Sequence, residues 1–166
     1  MGQIIMKKVI TFFLFLLSIS TAFSQTNISD EFDVPSNVII LTGHSWNQGG
    51  VIVRLYGVEA CHDSSFGLAL DSNCSEAAKV FLAALITNGH PKCRGIYQSS
   101  ATSSYLTICS ITLNGNTTDM GMSMIVSGYA KSALDHKNQP INIEYGEAEK
   151  LARLEKSGLW GYVKKP

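Results

Sequence analysis

The sequence predicts an α+β domain, mainly β: a five-stranded barrel of the OB type carrying about three helices. Three observations lead there. Short runs rich in β-branched residues recur between glycine clusters, one helical stretch separates two pairs of such runs, and two further helical stretches close the chain. The order strand–strand–helix–strand–strand–helix–helix, with one more strand that pattern alone does not resolve, fits a small OB barrel with helical additions.

Residues 1–24 stand apart from that domain. Lys7 and Lys8 precede the apolar run from Val9 to Ser20, and Ala22-Phe23-Ser24 sets small residues at the −3 and −1 positions of a cleavage site. This is the pattern of a secretory signal peptide, starting most naturally at Met6. The rival reading is a membrane anchor. The run is short for one and is interrupted by Thr11, Ser18 and Ser20, whereas a spanning helix needs about 20 largely apolar residues. Cleavage before Gln25 leaves 142 residues, enough for one domain and without a stable membrane span. It puts the protein in a periplasm or outside the cell.

Removing Lys7 and Lys8 from the thirteen Lys/Arg of the chain leaves eleven against thirteen Asp/Glu, a net charge of −2. A protein that holds nucleic acid mainly by neutralising phosphates carries a basic surplus. Net charge therefore does not favour nucleic acid as a partner, and any phosphate site must be local. No protein partner is named by the residues. Cys61, Cys74, Cys93 and Cys109 all lie in the exported part. An even number in an oxidising compartment points to disulfides, with three connectivities open. A four-thiolate zinc site is the weaker alternative, because no two cysteines have the close C-x2–4-C spacing.

Each element has a local reason. Residues 25–36 are polar and acidic and read as a flexible lead-in ending around Pro35, so the folded domain is expected over 37–166. Asn37–Leu41 and Val51–Val58 read as a long hairpin around the turn cluster Thr42–Gly50, with Gly57 ending or bulging the second strand. Ser75–Ile86 has a helical period that puts Ala77, Val80, Phe81, Ala84 and Leu85 on one face, and Gly89 marks its stop. Strands follow over Lys92–Tyr97 and Tyr105–Leu113, the latter ending at the turn signal Asn114-Gly115. A second helix starts at Thr118 or Asp119, both good N-caps, and stops at Gly128. A third runs over Glu144–Lys156, with Ala148, Leu151 and Leu154 on its core face. Gly158 stops it, and Leu159-Trp160 plugs the core.

Several of these stretches resemble one family in order. "VRLYGVEAC" is similar to the V-R-L-x-G-I-D-A-P-E segment of the staphylococcal-nuclease-like (thermonuclease) family. "SEAAKVFLAALITNG" matches its following helix, "YLTICSITLNG" its Y-G-R-x-L-A strand and turn, and "TTDMGMSMIVSGYAKSA" its D-x-N-x-x-L-V-x-x-G-x-A helix. "YGEAEKLARLEKSGLWG" resembles its closing E-x-x-A-x-x-x-x-x-G-L-W segment. The likeness spans about residues 36–161. It implies the OB-fold and a phosphodiesterase ancestry.

The resemblance also implies a site, and with it calcium as the cofactor, although the residues themselves secure none. In the family, calcium is held by an aspartate of a D-G-D-T segment and by the aspartate of G-I-D-A-P-E. A glutamate ending that second motif handles water, and two arginines stabilise the phosphate. Arg54 stands at the first arginine and Glu59 at the second aspartate, one methylene too long. His62 replaces the glutamate, Ser36 in this register replaces the D-G-D-T aspartate, and Leu106 replaces the second arginine. Calcium usually takes 6–8 hard oxygen ligands, so Glu59 alone makes a poor site. One preorganised donor aimed at the transition state is worth ~3 kcal/mol or more. The sequence therefore reads as a catalytic remnant in Arg54, Glu59 and His62.

Bland readings compete. Arg54 serves either a phosphate or an ion pair with Glu59. His62 is a base or a metal ligand beside Glu59 and Asp63, or a surface residue next to a cross-linked cysteine. His44, His90 and His136 read as ordinary loop residues. Trp46 either stacks a ligand or folds back on the barrel, Trp160 is core, and Lys164-Lys165 is a solvated tail. Cys93 and Cys109 fall on consecutive antiparallel strands, and Cys61 and Cys74 bracket the loop after the site motif, so Cys61–Cys74 and Cys93–Cys109 are the expected disulfides. The function expected is an exported thermonuclease-like domain with calcium-dependent nuclease activity reduced or lost. Two alternatives remain. One is a non-catalytic OB module binding nucleic acid, a glycan or a protein partner; the other is a working phosphodiesterase using Arg54, Glu59 and His62 with another metal.

Overall fold

The structure, a computed structural model, describes residues 31–61, 74–99 and 104–162. Among them are nine strands, three α-helices and a closing 3-10 helix. The strands are β1 (Glu31–Asp33), β2 (Ile39–Thr42), β3 (Ser45–Gln48), β4 (Val51–Leu55), β5 (Val58–Ala60), β6 (Lys92–Ser99), β7 (Ser104–Leu113), β8 (Asn116–Asp119) and β9 (Ala130–Ser132). The helices are α1 (Cys74–Gly89), α2 (Met120–Val126) and α3 (Ile143–Glu155), with the 3-10 helix over Gly158–Tyr162.

Five strands carry the OB pattern. The sheet path runs β1-β6-β7-β4-β3-β2, with β8 added to β7. Within it β2-β3-β4 is an antiparallel meander, β6-β7 is a hairpin, and β4 lies parallel to β7. The sheet stays open, with β1 and β2 at its edges. The short pair β5-β9 forms a second, two-stranded sheet beside it. The core is built from Trp46, Val53 and Leu55 of the meander, Leu82 and Ile86 of α1, Ile111 of β7, and Met120, Met124 and Ile125 of α2.

Four expectations are corrected. The stretch Thr42–Gly50 is not one long turn: it contains β3, which turns the expected hairpin into a three-stranded meander and supplies the strand that pattern missed. Trp46 on β3 is 0% exposed, so it is core and cannot stack a ligand. Second, Glu31–Asp33 was expected in the flexible lead-in, yet it pairs with β6, setting Glu31 opposite Arg94 and Asp33 opposite Lys92. Third, the buried stripe of α1 is Cys74, Ala78, Leu82, Leu85, Ile86 and Gly89, while Val80 is 68% exposed. The helix carries apolar residues on two adjacent stripes, and the smaller Ala78 allows the closer approach: a Cβ on Gly43 would come within 2.5 Å of its Cβ. Fourth, α3 buries Tyr145, Ala148 and Ala152 but exposes Leu151 and Leu154.

Other expectations stand. Both disulfides are formed, Cys61–Cys74 with Cα atoms 5.7 Å apart and Cys93–Cys109 across the β6–β7 ladder with Cα atoms 4.0 Å apart. Asn114 and Gly115 both have positive φ, 51° and 79°, as the tight β7–β8 turn requires. Asp119 caps α2 by accepting from Met122 N at 2.7 Å. Leu159 and Trp160 are buried. The signal segment and the lysine tail lie outside the described residues.

Candidate functional site

Arg54 sits near the end of β4, where alternation sends Val53 and Leu55 into the core and the guanidinium outward. Its backbone is fixed on both sides. Arg54 pairs with Ser45 on β3 and with Leu106 on β7, and the Thr107 hydroxyl donates to the Arg54 carbonyl at 3.2 Å. The row continues to Tyr97 of β6, in register with Leu106 and largely exposed. Leu106 is thus the direct cross-strand neighbour of Arg54.

The chain then turns at Gly57 (φ 71°) and returns as β5, which carries Glu59. Glu59 pairs with Lys131 on β9, and the Lys131 ammonium lies 3.5 Å from Glu59 Oε1. Ala60 and Cys61 follow, buried, and the disulfide ties Cys61 to the first residue of α1.

His44 completes the corner. It lies in the two-residue connection between β2 and β3 and is buried, not an ordinary loop residue. Its Nε2 is 3.2 Å from Arg54 Nη2. Its Nδ1 is 3.2 Å from Thr42 Oγ1 and 3.3 Å from the Ala60 backbone N. Its carbonyl accepts from Leu55 N at 2.9 Å. A guanidinium can only donate, so Nε2 must be bare to accept from Arg54, and Nδ1–H then donates to Thr42 Oγ1. The Ala60 N–H requires Nδ1 bare instead. A neutral ring serves one of these two donors at a time.

Of the residues singled out from sequence, the structure joins Arg54 to His44, sets Leu106 beside Arg54, and pairs Glu59 with Lys131. Ser36 is exposed in the turn between β1 and β2, and Asp33 lies on edge strand β1 with its carbonyl accepting from Gln48 Nε2 at 3.1 Å. His62 and Asp63 fall outside the described residues. His90 and His136 are exposed.

Calcium does not fit this donor set. Hard cations need several oxygen ligands with carboxylate charge, and among the described residues no group of three His, Cys, Asp or Glu side chains gathers to hold a metal. Glu59, the carboxylate on β5, already meets the Lys131 ammonium. What the corner can do is donate: an exposed guanidinium is suited to an oxyanion.

A family model described as staphylococcal nuclease homologue matches residues 52–162. No curated protein matches the chain.

Proposed function

Because the chain belongs to the staphylococcal nuclease homologue family, we propose that it is an exported thermonuclease-like protein whose calcium-dependent nuclease activity is reduced or lost. One observation carries this reading. The guanidinium expected to face phosphate contacts an imidazole, and the carboxylate expected to hold calcium contacts a lysine. Export rests on the leader pattern of residues 1–24 and agrees with two formed disulfides. Among the described residues no helix is long and apolar enough to cross a membrane.

A second reading has its own support. The row Arg54–Leu106–Tyr97, exposed at both ends with Leu106 half-buried between, puts a cation, an aliphatic side chain and an aromatic ring on adjacent strands of an OB-type sheet. OB faces of this kind bind oligonucleotides and oligosaccharides, so a non-catalytic binding module accounts for the same geometry. The phosphodiesterase reading built on His62 and another metal turns on a residue outside those described.

Calcium-dependent plasmid nicking tests the leading reading. The purified, disulfide-bonded chain is expected to show no turnover above background with calcium. Robust cleavage that is abolished by Arg54→Ala would overturn it.

A further inference from the structure

We infer that His44 stands where the calcium-binding aspartate of D-G-D-T belongs, and that it serves as the positioning residue of Arg54. This deepens the loss-of-calcium reading and rests on it. The stretch Thr42-Gly43-His44-Ser45 keeps the motif's glycine and a hydroxyl residue after the third position. The glycine is required by packing. A Cβ at Gly43 would lie 2.5 Å from the Ala78 Cβ and 3.0 Å from the Ala60 Cβ, so the β2–β3 connection can pass between α1 and the end of β5 only without a side chain.

That passage aims the next side chain into the corner. His44 reaches Arg54 with one ring nitrogen and the Ala60 backbone N with the other, and Ala60 directly follows Glu59. One residue therefore links the arginine strand to the strand bearing the remaining carboxylate, which is where a ligand shared between the two motifs must sit. Ser36, eight residues upstream and exposed in a different turn, has none of these contacts among those found for His44.

The consequence is a change in what the corner accepts. A divalent cation placed between His44 and Glu59 would meet the Arg54 guanidinium at hydrogen-bonding range of the same imidazole, with Lys131 competing for Glu59. Like charges at such distances repel strongly where solvent is partly excluded. The imidazole instead gives the guanidinium a neutral acceptor, which orients it while leaving its charge available to an oxyanion.

Two paired variants of the full chain test the assignment: His44→Asp with Glu59→Asp, and Ser36→Asp with Glu59→Asp. The probe is calcium chloride alone, read as the calcium-linked change in melting temperature. The His44 pair is expected to gain about 3 °C or more at saturating calcium, and the Ser36 pair and the parent to gain nothing. A folded His44 pair that gains nothing, or a gain in the Ser36 pair alone, overturns the assignment. If the His44 pair does not fold, nitrogen NMR of the His44 ring in the parent and in Arg54→Ala decides. A shift in the ring's tautomer balance supports the positioning role, and an unchanged ring overturns it. Failure here is separable from failure of the functional reading, which fails only if the unmodified chain cleaves DNA with calcium.

Discussion

Two regions of this molecule solve the same problem of buried polar groups in opposite ways. At the seam between α2 and α3, Asp119 Oδ1 accepts from Met122 N at 2.7 Å and from the Tyr145 hydroxyl at 2.6 Å, and the Ser123 hydroxyl donates to the Asp119 carbonyl at 2.9 Å. A carboxylate oxygen carries two lone pairs, so Asp119 Oδ1 serves both donors at once. In the β2–β5 corner, one imidazole is asked to accept from both a guanidinium and a backbone N–H, and one carboxylate faces a lysine. The seam is a finished structural joint. On the function proposed above, the corner keeps its backbone frame and carries other side chains in place of those that would make it a calcium site. The frame and the chemistry can therefore drift apart, because glycines and caps set the first and exchangeable side chains set the second.

The largest effect should come from the frame. Gly128 follows α2 with φ 76°, and a Cβ there would lie 2.1 Å from the Ser157 carbonyl oxygen. Neither the conformation nor the space admits a side chain, and the obstacle is backbone that cannot swing away. Gly128→Ala is expected to cost about 3 kcal/mol or more in denaturant unfolding. A loss under about 1 kcal/mol would show that the α2–α3 packing yields more easily than the geometry implies.

A smaller effect sharpens the seam itself. Burial, and then the hydrogen bond to Asp119, push the Tyr145 phenol well above its ordinary value. The sign follows from linkage. Because the folded state holds this proton more tightly than the unfolded chain, the stability it contributes is complete below about pH 10 and is lost as pH rises beyond that value. Tyr145→Phe should cost about 1 kcal/mol near neutral pH through the lost hydrogen bond, and should flatten the alkaline limb of the stability curve. Urea melts from pH 8 to 11 read both. A Phe variant with the same alkaline slope as the parent would remove Tyr145 as the cause.

Much of this was legible in the sequence, and the failures have physical reasons. The cysteine pairs could be read because one pair lies on adjacent strands and the other brackets a single loop. The Asp119 cap, the Asn114-Gly115 turn and the Leu159-Trp160 plug were visible because each depends on residues close in sequence. β3 was hidden because Ser45-Trp46-Asn47-Gln48 has one apolar residue and lies between glycines, so it looks like loop until its neighbours bury Trp46. The faces of α1 and α3 are ambiguous in sequence because each helix carries apolar residues on adjacent stripes: Ala78, Leu82 and Ile86 of α1 and Tyr145, Ala148 and Ala152 of α3 are buried, while Val80, Leu151 and Leu154 point to solvent. In the sequence His44 reads as one of several scattered histidines. The retained glycine before it was the available signal, and the packing that makes the glycine necessary involves Ala60 and Ala78, which sequence does not bring together.

The smallest predicted effect lies back in the corner. Glu59 and Lys131 form an ion pair at 3.5 Å, with the Glu59 side chain 34% exposed. Pairs of this kind contribute about 0–1 kcal/mol, because solvent screens the attraction and two long side chains must be held in place. Glu59→Gln keeps the shape and most of the hydrogen-bonding capacity of the side chain while removing its charge. If the corner is a chemical remnant and not a structural joint, this substitution should change stability by less than about 0.5 kcal/mol, well below the effect at Gly128 or Tyr145. The same variant also removes a negative charge beside Lys131, so it should tighten binding of an oxyanion probe such as inorganic phosphate, followed by chemical-shift titration. A large stability loss with no gain in phosphate affinity would mean that Glu59 supports the fold, and that the two regions differ less than their hydrogen bonds suggest.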